Sequence, residues 1–102
     1  MNSYVVNLYP VSNDGAPMQT VLVGTSATSF VNNFDTKTNV FFFTLHAGSM
    51  YVTFDGTTPS PTNGHTMESP YVGWFNKIAV KNMKMVKHVG QTPIVAISQF
   101  TN

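Results

Sequence analysis

Three histidines, His46, His65 and His88, and four acids, Asp14, Asp35, Asp55 and Glu68, are the side chains of this 102-residue chain best suited to bind a metal or move a proton. A metal centre needs two or more such ligands converging, usually with carboxylate or thiolate help. No two of the histidines stand at i, i+2 or i, i+4, and cysteine is absent, so neither a metal site nor a cofactor is expected. The lack of cysteine also removes disulfides and a thiolate nucleophile, and fits assembly in a reducing compartment. Nucleophilic catalysis by Ser or Thr would need a histidine and an orienting acid, and no serine lies in a Gly-x-Ser-x-Gly context. Four acids leave little room for a glycosidase-type carboxylate pair. No Gly-x-x-x-x-Gly-Lys or dinucleotide fingerprint is present. The expectation is a protein with no catalytic residues.

The elements around these residues say more. From Met50 to His65 the chain reads Met-Tyr-Val-Thr-Phe-Asp-Gly-Thr-Thr-Pro-Ser-Pro-Thr-Asn-Gly-His. Tyr51, Thr53 and Asp55 fall on one side of an extended chain, and Val52 and Phe54 on the other. Asp55-Gly56 then offers a residue that tolerates positive φ, and Pro59 and Pro61 remove two backbone donors and forbid helix. Asn63-Gly64 supplies a second tight turn. A structural loop built on Asp55, Gly56, Pro59, Asn63, Gly64 and His65 is expected. It should be ordered by its own turn hydrogen bonds rather than by a metal. Folding across it could bring His65 to Asp55 or Glu68, as a structural contact.

Charge is the compositional anomaly. Only 9% of residues are charged and none is Arg, although 42% are apolar and 13% aromatic. The usual charged share is about 25%. A sparsely charged surface made of Ser, Thr and Asn repels its own copies weakly, which points to a homo-oligomer or another protein partner. Phosphate binding needs clustered cations, so no nucleic acid partner is expected. Lys77, Lys81, Lys84 and Lys87 do lie close together, and are read as the solvated edge of a strand or hairpin. The N-terminus has no basic n-region, and the longest apolar block, Val40–Phe43, is too short to cross a bilayer. A chain without a signal peptide and without a membrane partner is expected.

Short apolar or alternating runs separated by turn clusters predict strands over Tyr4–Tyr9 (stopped by Pro10), Gln19–Val23, Thr28–Asn32, Val40–Leu45, Ser49–Phe54, His65–Glu68, Lys77–Lys87 and Ile94–Phe100. Lys77–Lys87 is the segment nearest to a helical period, but its β-branched residues favour a strand with a bulge near Asn82. Seven to eight short, mostly antiparallel strands in one domain, residues 1–102, make an all-β sandwich or a jelly-roll-like barrel. The methionines in or beside these strands are read as core fillers.

Aromatic residues supply the candidate contact surface: Phe41, Phe42, Phe43, Tyr71, Trp74 and Phe75. On a strand Phe41 and Phe43 face one way and Phe42 the other, so both faces need cover. The opposing sheet covers one; a neighbouring subunit, or the 55–65 loop, would cover the other. Tyr71, Trp74 and Phe75 are placed where a loop meets a strand. There they could plug one end of the core, anchor a subunit contact or stack on a sugar.

The run Tyr51-Val-Thr-Phe-Asp-Gly-Thr-Thr-Pro-Ser-Pro-Thr-Asn-Gly-His-Thr-Met67, with Trp74 and the closing Val-Ala-Ile-Ser-Gln-Phe strand, resembles small β-sandwich structural proteins of tailed bacteriophages. The resemblance covers about the C-terminal half and carries no catalytic residues. It departs at Thr66-Met67-Glu68, where a Leu-rich segment is more usual. It implies a virion component, assembled in the host cytoplasm, that works as a homo-oligomer. A capsid decoration or cement protein, a trimer bound to the major capsid protein or another virion protein, is the favoured placement; a neck or tail-associated protein is the alternative. A carbohydrate-binding module is the reading from another class, and a small hydrolase the least supported.

Overall fold

The computed structural model describes residues 8–10 and 18–101. Eight strands and one short helix follow one another: β1 (Tyr9–Pro10), β2 (Met18–Leu22), β3 (Val40–Ala47), β4 (Ser49–Thr53), β5 (His65–Glu68), β6 (Tyr71–Asn76), α1 (Lys77–Lys81), β7 (Lys84–Lys87) and β8 (Ile94–Thr101). They form two antiparallel sheets. In the five-stranded sheet β8 lies between β3 and the β1/β2 pair, and β6 pairs the far side of β3. In the three-stranded sheet β4 is flanked by β5 and β7. The expected all-β sandwich is the fold.

Alternation along the strands makes the core. Phe41, Phe43 and Leu45 of β3 and Val95 and Ile97 of β8 point inward from one sheet, and Met50, Val52, Met67 and Met85 from the other. Phe43 is the hub of this packing. Its ring meets Phe30 edge-on at 6.3 Å, Phe75 at 5.3 Å and Tyr71 at 6.0 Å. Such edge-to-face pairs add about 0.5–1.5 kcal/mol each beyond burial. The chain crosses from one sheet to the other at Gly48, whose φ is +74° and where a Cβ would sit 3.1 Å from the Pro93 backbone. Only glycine suits that corner.

Three sequence expectations are corrected. Lys77–Lys87 is not one strand. Lys77–Lys81 is a helical turn, because the Asn76 carboxamide accepts from the Ala79 N–H at 2.8 Å and so caps it. Asn82 closes it, its side chain donating to the Ile78 carbonyl, and only Lys84–Lys87 is strand. Thr28–Asn32 is also not a strand: Thr28 alone exchanges backbone bonds with Met85, and Phe30 leaves that path to enter the core. Pro10 does not stop the first strand but lies in it, opposite Phe100, on the sheet edge where a missing donor is tolerated. The rest of the predicted Tyr4–Tyr9 strand, residues 4–7, lies outside the described residues.

The polar Asp35–Asn39 segment is held from beneath. Gln99 is buried, and its Oε1 accepts from the Asp35 N–H at 3.0 Å and the Thr38 hydroxyl at 2.7 Å. A buried amide satisfied in this way fixes the loop that delivers β3 to the sheet.

Candidate functional site

Opposite residues of an antiparallel ladder share a face. Phe42 stands opposite Trp74 on one side and Ser98 on the other, so these residues, with Val72, Phe100, Met18 and Leu22, define the outward face of the five-stranded sheet. No outward position of β2, β3, β6 or β8 is Asp, Glu, Lys or Arg. The charges collect elsewhere. Lys77 and Lys81 are on α1, Lys84 and Lys87 bound β7, Glu68 is on β5, and Asp35, Lys37 and Asp55 lie between strands.

An aromatic strip runs across this neutral face. Trp74 is tilted onto Phe42 with ring centroids 5.0 Å apart and meets Phe100 edge-on at 5.3 Å, yet stays 50% exposed. Trp74 therefore does not plug the core, one of the three placements its sequence context allows. Tyr71 and Phe75 turn the other way, toward Phe43, and stack on each other with centroids 6.3 Å apart. All three belong to β6 itself rather than to a loop beside it.

Phe41 and Phe43 are fully buried, while Phe42 is half-buried under Trp74. The 55–65 loop does not cover Phe42. It folds over the outside of the other sheet, where Pro59 and Pro61 border a groove with Tyr51 and Val86. Phe100, Met18, Leu22 and Val72 complete the neutral face, and sequence reading did not single them out. Met-Gln-Thr-Val-Leu at 18–22 does not alternate apolar with polar residues, and only the ladder registers join these strands into one surface.

The loop is internally bonded. Asp55 Oδ1 accepts from the Thr57 N–H at 3.1 Å and its hydroxyl at 2.6 Å. The same two donors hold the Asp55 carboxyl below the ordinary aspartate range, the hydroxyl contributing most. Asn63 Nδ2 donates to Thr57 Oγ1 and to the Thr58 carbonyl, Ser60 and Asn63 exchange backbone bonds, and Gly56 N–H reaches Asn82 O. Gly64 has φ +106°, and a Cβ there would come within 2.5 Å of Val52 O. The Asx-type turn at 55–57 is the turn expected of Asp55-Gly56, while the second turn closes between Ser60 and Asn63, around Pro61-Thr62, rather than at Asn63-Gly64.

The three histidines are dispersed. His65 lies beside the Phe54 ring, and His46 bonds the Thr44 hydroxyl on the neutral face at 3.0 Å. His88 Nδ1 bonds Ser49 Oγ at 2.9 Å, under the Tyr51 ring. Among the described residues no three His, Asp or Glu side chains gather as a metal site would require. Among the described residues the fold gathers aromatic side chains on one face and leaves the histidines apart from one another. A scan against protein-family models finds no match for the chain, and searches of curated proteins and of solved structures find none either.

Proposed function

We propose that this chain is a non-enzymatic virion structural protein of a tailed phage, a capsid decoration protein that self-associates and binds the major capsid protein. The observation that carries the reading is the uncharged, aromatic outer face of the five-stranded sheet. Water-exposed faces of monomers are normally charged, and an extended apolar surface without charge is what a protein contact needs. Neutrality on both sides also removes the like-charge penalty when two copies meet. The resemblance of residues 51–67, Trp74 and the closing strand to phage β-sandwich proteins supplies the virion placement; a neck or tail-associated role uses the same surface. Decoration of a shell works by buried area, each added contact lowering the free energy of the bound state.

The test is co-sedimentation of the purified chain with expanded phage capsid shells. Retention that is lost in Trp74→Ala supports the reading, and no retention across shell types rejects it. The half-exposed Trp74 beside Phe42 also favours a second reading, a sugar-stacking platform. Trp74 is the single tryptophan, so its fluorescence during glycan titration decides that alternative.

A further inference from the structure

Asn63 is the one asparagine of the chain followed by glycine. An asparagine in that setting is open to attack on its Cγ by the next peptide nitrogen, because glycine has no Cβ to crowd the approach. The fold keeps the dipeptide in place. Gly64 has φ +106°, and a Cβ there would lie 2.5 Å from Val52 O and 2.8 Å from the Thr53 methyl, so no bulkier residue suits the position after Asn63. Both residues are exposed to water. Among the described residues no hydrogen bond engages the Gly64 N–H. The Asp55-Gly56 pair could close the same ring, but there the nucleophile is occupied. Gly56 N–H donates to Asn82 O at 2.9 Å, and the Asp55 carboxylate is tied to Thr57.

We propose that Asn63 is a self-modification site, which deamidates through a succinimide to aspartate and isoaspartate. Base takes the Gly64 amide proton, the nitrogen bonds to Asn63 Cγ, and the Cγ–Nδ2 bond breaks with release of ammonia. Water then reopens the ring. Attack at Cγ leaves aspartate, and attack at the Asn63 backbone carbonyl carbon leaves isoaspartate. No electrons are exchanged, and water is the only co-reactant.

The loop is built so that the change matters. Asn63 Nδ2 donates to Thr57 Oγ1 at 3.1 Å and to the Thr58 carbonyl at 2.9 Å, and the Thr57 hydroxyl gives its only proton to Asp55 Oδ1 at 2.6 Å. Donation in this chain runs from residue 63 toward Asp55. A carboxylate at position 63 has no proton to give, so it faces the Thr58 carbonyl and competes with Asp55 for one hydroxyl. Isoaspartate also lengthens the backbone by a methylene and misaligns the reciprocal Ser60–Asn63 pair. One added negative charge takes the formal net charge from +1 to zero. Modification therefore releases the 57–63 segment, whose Pro59 and Pro61 border the groove with Tyr51 and Val86.

The folded chain is incubated at mildly alkaline pH, digested and mapped by mass spectrometry, with the urea-unfolded chain as reference. Asn63 should show the mass of an amide-to-acid exchange ahead of every other described asparagine, as a mixture of aspartate and isoaspartate, and faster as the pH rises. Asp55 should stay unisomerised. Thr57→Val removes one of the two acceptors that hold the carboxamide, and should speed conversion about five-fold, the equivalent of one neutral hydrogen bond. Asn63→Gln should abolish it. Asn63→Asp carries the product charge from the start, and should lose hydrogen-exchange protection at the Ser60 amide while the β4 amides keep theirs. Conversion in the unfolded chain with none at Asn63 in the folded one would overturn the proposal. So would a folded-chain rate at Asn63 no higher than that of the other described asparagines. An Asn63→Asp loop as protected as the parent would overturn the release of the 57–63 segment.

Discussion

Phe42 and Trp74 stand directly opposite each other in the β3–β6 ladder, their rings 5.0 Å apart and inclined at 55°. One step along the same strand, Phe41 and Phe43 are sealed in the core. A single strand thus divides its aromatic residues between holding the sandwich and presenting a surface. Phe43→Ala should cost about 3–5 kcal/mol of stability, because it empties the centre of the core. Trp74→Ala should cost no more than about 1–2 kcal/mol, since half of its surface is already in water. Chemical denaturation of the two variants checks this contrast, and comparable losses would mean that the neutral face is structural.

Glycine positions in the loop separate strain from freedom. Gly56 and Gly64 both have positive φ, but a Cβ at Gly56 meets nothing within 4 Å whereas one at Gly64 runs into Val52 O. Gly56→Ala is expected to cost about 1 kcal/mol, and Gly64→Ala about 2–3 kcal/mol or more. Thermal melts of both order the two effects.

Asn76 is the residue that turns the end of β6 into a helix. Asn76→Ala removes the cap on Ala79 and should cost about 1 kcal/mol, with Asn76→Asp largely preserving it. Loss of protection at the Ala79 amide in hydrogen exchange is the local signature.

That residue also marks what could be read in the sequence. The short apolar runs Val40–Leu45 and Ile94–Phe100, and the turn chemistry of Asp55-Gly56 and Asn63-Gly64, led to the strands and the loop because each signal is local. The Lys77–Lys81 turn was missed because five residues are too few to show a period, although Asn76 as a cap and Lys77/Lys81 at i, i+4 were visible. The neutral face was only partly legible. Phe42 and Trp74 were identified as surface candidates, but Met18, Leu22, Val72 and Phe100 join them only through ladder registers, which depend on residues far apart in the chain. Phe30 and Thr28 went the other way, β-branched and aromatic in pattern yet used as a plug and a single bridge.

Asp55 gives the loop a pH dependence. Its carboxyl is held below the ordinary aspartate range by the Thr57 hydroxyl and N–H, so the folded loop favours the ionised form. The contribution is fully present above the unfolded aspartate value and is lost as the pH falls through the lowered folded one. Thr57 and Asn63 amide resonances should therefore shift only in that acidic window, and Asp55→Asn should abolish the transition.

The most direct measurement is the solution mass of the purified chain by light scattering over a wide concentration range. The neutral face of the five-stranded sheet requires mass above that of a single chain, falling on dilution. A single-chain mass at every concentration would contradict the account.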